Sequence, residues 1–305
     1  MTRQALRTRL EGDEIHVSDP RLRSVPPTTI SFMRTLRIPD VGSEWPLPPG
    51  LGLFPMRSVS SLGDRAPEAM RARGGLALPM YQAEALWIAF DAPDWRPMAL
   101  KVGAGMVNAV DASPLDGDIL PDRADYLVTP PQPWLDGFKT GEGTISQFVA
   151  MPLGDGLTVE EQLTSEANLG GLQLLVAGPR PGRFPTKPPE PEPRVEYMCC
   201  ARLVAESAPM GLAAGGTMTQ KVYPDPHGAD TWDTDGAARI WVHLVPASLW
   251  PQLTGEPAPP TPVSRDAYDR YGLPRLKMTS VERDVVDMEI MLRSAWLMVI
   301  KAVWM

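Results

Sequence analysis

Apolar and polar positions alternate with period two in several separate stretches of the chain. In TTISFMRTLRIPD (28–40), Ile30, Phe32, Arg34, Leu36 and Ile38 share one side of an extended segment that ends at the turn signal Pro39-Asp40. In GTISQFVAMPLG (143–154), Ile145, Gln147, Val149 and Met151 face one way and Ser146, Phe148 and Ala150 the other. Further strands are expected over 99–112 (two short ones around Gly103 and Gly105), 126–138, 170–178, 195–205, 216–225 and at the start of 238–250. MGLAAGGTM (210–218) reads as a flexible turn between strands.

Helical signals are fewer. Residues 64–72 suit a short helix, and 78–90 (LPMYQAEALWIAF) reads as helix moving into strand. Thr158, with Glu161 three residues later, has the form of a capping box opening a helix over 158–167. A short helix closes 238–250, and Ser264 is placed to cap another within 256–272. The last 26 residues lack proline and glycine. There Val285, Met288, Leu292, Trp296, Val299 and Val303 recur every three or four positions, and Glu289 stands four before Arg293.

Proline changes the picture. The 35 prolines are scattered along the chain, at roughly twice the usual share. Each removes a backbone donor and clashes with the preceding helical turn, so long helices are excluded over most of the length. The expected fold is α+β and β-rich: antiparallel sheets in a sandwich-like arrangement, long Pro-rich loops, a few short helices and a C-terminal amphipathic helix. Residues 1–27 are expected to form a flexible arm, 28–280 a β-rich body and 281–305 the final helix. The segment PRPGRFPTKPPEPEPR (179–194), seven of whose residues are proline, is either a joint between two lobes or a long surface loop.

A net charge of −8 argues against general nucleic-acid binding, which needs a basic footprint. Cys199 and Cys200 are adjacent and poorly placed to bridge, so no disulfide framework is expected. With no signal-like leader and no run of 18 uncharged apolar residues, a cytoplasmic chain without a transmembrane segment is the expectation.

Candidate chemistry gathers in DPHGADTWD (225–233). Asp225, Asp230 and Asp233 offer hard oxygen ligands and His227 an imidazole, the donors a divalent cation would use. The spacing does not match an EF-hand, and the competing reading is an Asp-rich turn anchored by Trp232. QPWLDGF places Trp134 and Asp136 on a tight turn, where an exposed indole would be a binding anchor. The acidic loop 111–125 reads as a solvated face. The chain has no G-x-S-x-G, P-loop, C-x-x-C or H-E-x-x-H.

RTLRIPD with PLPPGLG, LPMYQAEALW, QPWLDGF, QFVAMPLG with EEQLT and GGLQ, and MGLAAGG followed by DPHGADTWD together resemble a family of uncharacterised, mostly bacterial proteins. The likeness spans about residues 30–274 and implies no activity, cofactor or fold. The final helix is the part it supports least.

Two functions fit these observations. The first is a non-catalytic β-rich scaffold that binds a protein or peptide partner, with Trp134, Asp136 and Trp232 as contacts, or that self-assembles through Leu292, Trp296, Val299 and Val303. No cofactor is then expected. The second is a hydrolase-like enzyme using a divalent cation held by Asp225, His227, Asp230 and Asp233.

Overall fold

The computed structural model describes residues 5–39, 45, 47–116, 119, 123–189, 210–260 and 265–271. Among them, fifteen strands follow in chain order. They are β1 (Arg7–Glu11), β2 (Glu14–Ser18), β3 (Thr28–Thr35), β4 (Arg57–Ser58), β5 (Leu76–Met80), β6 (Ala85–Asp91), β7 (Met98–Ala104) and β8 (Val107–Asn108). Then come β9 (Leu127–Thr129), β10 (Trp134–Leu135), β11 (Gly137–Gly141), β12 (Thr144–Pro152), β13 (Leu172–Ala177), β14 (Met210–Thr219) and β15 (Ala238–Pro246). The α-helices are short: α1 (Val59–Leu62), α2 (Glu68–Arg73), α3 (Val159–Thr164), α4 (Trp250–Thr254) and α5 (Arg265–Arg270).

The strands form two sheets. One runs β1-β2-β3-β6-β12-β11, with β10 beside β6 and β14 beside β12. The other runs β4-β5-β15-β13-β7-β8, with β9 beside β7. Pairing is antiparallel except between β5 and β15, which makes the second sheet mixed where an antiparallel one was expected. The two sheets share one core, with Ile30, Phe32, Ile88 and Phe148 from the first meeting Leu100, Val102, Leu174 and Val242 from the second. The β-rich, sandwich-like expectation therefore holds. Among the described residues no helix is long and apolar enough to cross a membrane.

Three expectations need correction. Residues 7–18, assigned to a flexible arm, form the β1–β2 hairpin, and β2 continues onto β3 with Ile15 opposite Ile30. Only Ile15 and Val17 bury completely, which is too short a pattern to stand out among charged neighbours. Residues 78–90 do not contain a helix. A turn at 81–84, with Ala83 at φ 64°, separates β5 from β6. Buried Glu84 holds that turn, accepting from the Tyr81 N–H at 2.9 Å and pairing with Arg34 at 2.6 Å. Finally, MGLAAGGTM is no flexible turn. It is most of β14, paired along its length with β12.

The small residues of β14 have a packing reason, since glycine in a strand marks a close backbone approach. A Cβ on Gly216 would meet the Pro39 carbonyl oxygen at 2.2 Å, so Leu36–Pro39 lies directly over the strand. Gln147 fastens that segment, donating to Leu36 O at 2.9 Å and accepting from Ile38 N at 3.0 Å. The capping box at Thr158 is present as expected, with both reciprocal bonds to Glu161 made. The final helix and the strand expected over 195–205 lie outside the described residues.

Candidate functional site

The loop 225–235 folds on itself through local bonds. Asp225 Oδ1 accepts the His227 backbone N–H at 2.7 Å, an Asx turn. Its Oδ2 accepts the Tyr126 hydroxyl at 2.7 Å and the Trp232 indole N–H at 2.8 Å. Burial, followed by the bond to Asp225, pushes the Tyr126 phenol well above its ordinary pKa. The His227 ring stands edge-on between Phe184 and Trp232, with centroids 5.0 and 6.0 Å away.

The carboxylates do not converge. Asp225 is committed to Tyr126 and Trp232, while Asp230 pairs with Arg183. Asp233 is buried and lines a cavity of about 20 Å³ together with Arg21 and Arg96. Among the described residues no group of three His, Cys, Asp or Glu side chains is placed to hold a metal ion. The four residues considered as cation ligands are therefore not brought together. Their loop has the geometry of the anchored Asp-rich turn.

Trp232 has no exposed surface and packs with Ala99, Tyr126, Val128 and Ala177 on the outer face of the second sheet. It anchors its own loop and is not available to a partner. Trp134 and Asp136 are likewise turned inward. The half-buried indole donates to Asp136 Oδ2 at 2.9 Å and meets Trp87 edge to face at 6.4 Å. Asp136 is 2% exposed, and its N–H donates to Gln220 Oε1 at 3.1 Å. Burial pushes its carboxyl up to about 7, with the Trp134 N–H opposing. The turn that carries them pairs with β6 and is bonded to Gln220 just past the end of β14. Leu292, Trp296, Val299 and Val303 lie outside the described residues.

Two charged features escaped the sequence reading. Lys101 on β7 is fully buried, with Nζ 2.8 Å from Asp125 Oδ2 and also bonded to Asp116. Arg123 reaches both carboxylates, at 2.6 Å to Asp116 and 3.4 Å to Asp125. Burial raises the Asp125 pKa, and the Lys101 ammonium opposes it. This part of the acidic loop 111–125 is an ion-pair network around buried Lys101 and Asp125, with Asp116 and Arg123 partly exposed. The signal for it was a single lysine amid the small and apolar residues of ALKVGAG.

The second feature is a cleft of about 280 Å³ between β1 and β15. The two strands begin together, with Leu6 N–H donating to Gly236 O at 2.9 Å. Beyond that point neither has a strand on its facing side among the described residues. β1 pairs only with β2. On the flank of β15 away from β13, pairing with β5 starts at Val242, so Ala238–Ile240 are open there. Buried Ile15, Leu76 and Ile240 form an apolar floor. Arg9, Arg73 and Arg239 stand around it, and among the described residues no carboxylate lines it. The Arg73 guanidinium lies over the Trp241 ring at 5.6 Å, and Arg239 donates to Gln173 Oε1 at 3.0 Å. The cleft joins residues 8–10, 15, 58, 73, 75, 76 and 239–241, so no local motif announces it.

Comparison with protein-family models, with curated proteins and with solved structures found no match.

Proposed function

We propose that this chain is a non-catalytic β-rich scaffold that binds an extended segment of a protein or peptide partner by strand addition in the cleft between β1 and β15. One observation carries the reading: two strand edges that have no partner among the described residues face a single cleft with an apolar floor. An extended segment laid there satisfies backbone donors and acceptors on the edges it meets. Its alternate side chains turn down onto Ile15, Leu76 and Ile240. The exposed charges of Arg7, Arg9 and Glu11 guard β1 against indiscriminate pairing with other sheet edges.

The experiment is a selection of displayed short peptides on the immobilised full chain, followed by amide hydrogen exchange on the complexes. Binding is expected to slow exchange at Thr8–Leu10 and Ala238–Ile240. N-methylation of alternate peptide amides is expected to abolish it. A selection without binders, protection that maps elsewhere, or full tolerance of N-methylation overturns the reading.

A further inference from the structure

We infer that the segment taken up by this cleft is acidic, alternating apolar side chains with carboxylates, and that Arg9, Arg73 and Arg239 select it. The inference rests on the strand-addition reading and adds the chemistry of the ligand. The chain as a whole carries a net charge of −8, yet three guanidinium groups surround this one opening and, among the described residues, no carboxylate lines it. They come from β1, the end of α2 and β15, which are far apart in sequence and meet only around the cleft.

Each arginine is held by weak or replaceable partners. Arg9 is exposed and pairs with exposed Glu11 on its own strand. Arg73 rests on the Trp241 ring and donates to Asn168 O at 3.3 Å. Arg239 donates to the neutral amide of Gln173. A guanidinium retains free donors after one such bond, and a carboxylate is the partner that its planar fork fits best. The outward side of β15 carries Arg239 and Trp241, whereas Ile240 faces the core. An added strand has the same two-sided character. Apolar residues of the segment meet the floor, and its outward residues lie level with the arginines. Like charges on the two lips of the cleft also disfavour its closing on a second copy of the same surface.

The test uses fluorescence anisotropy with the full chain and a labelled peptide that alternates glutamate with valine and threonine. A matched peptide carries glutamine in place of each glutamate. At low ionic strength the acidic peptide is expected to bind about tenfold more tightly, which is the sum expected of three partly exposed charge pairs. That advantage is expected to shrink as salt is raised. The triple variant R9Q/R73Q/R239Q is expected to bind the acidic peptide no better than the glutamine peptide.

Equal binding of the two peptides by the wild-type chain overturns the charge selection and leaves strand addition standing. So does enrichment of displayed peptides that lack carboxylates yet protect the cleft from exchange. Displacement of the acidic peptide by a single-stranded oligonucleotide of equal charge overturns the assignment to a peptide. Should the triple variant fail to fold, the glutamate–glutamine comparison on the wild-type chain decides alone.

Discussion

The Trp232 indole N–H and Asp225 Oδ2 are 2.8 Å apart, and this bond closes a loop that carries four potential ligands, Asp225, His227, Asp230 and Asp233. The same oxygen accepts the Tyr126 hydroxyl at 2.7 Å. One carboxylate thus ties the loop to the outer face of the second sheet. Asp225→Ala leaves an indole N–H and a phenol O–H without their charged acceptor, so it is expected to cost about 2–4 kcal/mol of stability. Equilibrium urea unfolding measures this. The cleft between β1 and β15 uses none of these groups, so peptide affinity is expected to be unchanged. Added Ca²⁺, Mg²⁺, Mn²⁺ or Zn²⁺ is expected to leave the melting temperature where it is. An upward shift that Asp225→Ala abolishes would return the loop to the role of a cation site.

Asp136 gives a pH dependence of known sign. Its folded-state pKa is raised to about 7 by burial, from an ordinary value of 3.8. A raised folded value means that the folded protein holds the proton more tightly than the unfolded chain does. The stabilising contribution is complete below about pH 4 and is lost as pH climbs through about 7. A carboxamide in place of this carboxyl mimics the neutral acid at every pH. Asp136→Asn is therefore expected to be more stable than the wild type above pH 7, by up to about 4 kcal/mol, and to match it near pH 4. Thermal melts of both proteins across that range check the prediction. A variant less stable than the wild type at pH 8 would mean that the ionised form is the one the fold favours.

The sequence was most legible where a local rule has one reading. Thr158 and Glu161 form a capping box because the bonds involved span three residues and need nothing from elsewhere. Thr158→Ala is expected to cost about 1 kcal/mol, measured by the same urea unfolding. Legibility failed where a distant partner decided the outcome. Tyr81–Glu84 looked helical because nothing local reports that Arg34, on a strand fifty residues earlier, would bury Glu84 in a turn. Trp134 and Trp232 looked like anchors because an indole beside aspartate is equally suited to a surface contact and to a loop pin. For Trp232, which has no exposed surface, the bond to Asp225 makes it a pin; Trp134, half-buried, is bonded to Asp136. The cleft was invisible because its arginines stand on three elements that are neighbours only in space.

Gly216 tests the reason for the small residues of β14. The nearest atom to a Cβ there is a backbone oxygen, Pro39 O at 2.2 Å, which cannot rotate aside as a flexible side chain can. Gly216→Ala must lift Leu36–Pro39 off the strand or bend β14, at an expected cost of about 1–3 kcal/mol. Gly178 is the control. A Cβ there meets nothing closer than 3.7 Å, so Gly178→Ala is expected to change little. Comparing the two midpoints in urea separates close approach from the general effect of replacing glycine. Equal midpoints would mean that the Pro39 segment yields without cost.

Lys101 supports the opposite kind of inference, in which one residue matters because of what its removal strands. Its ammonium is fully buried and neutralises Asp125, which is itself fully buried and whose Oδ1 has no hydrogen-bond partner among the described residues. Lys101→Met fits the same space but leaves Asp125 facing only the partly exposed Arg123 guanidinium at 3.4 Å. The expected loss is about 3–5 kcal/mol, the cost of an uncompensated buried charge rather than the net worth of the pair. If that is the cause, removing the stranded charge as well should recover much of the loss. Lys101→Met with Asp125→Asn is expected to be clearly more stable than Lys101→Met alone, although Asp125→Asn by itself is destabilising. A double-mutant cycle by urea unfolding supplies all four stabilities. Additive losses would mean that Lys101 contributes through its aliphatic stem against the sheet, and that the carboxylate is solvated well enough to stand without it.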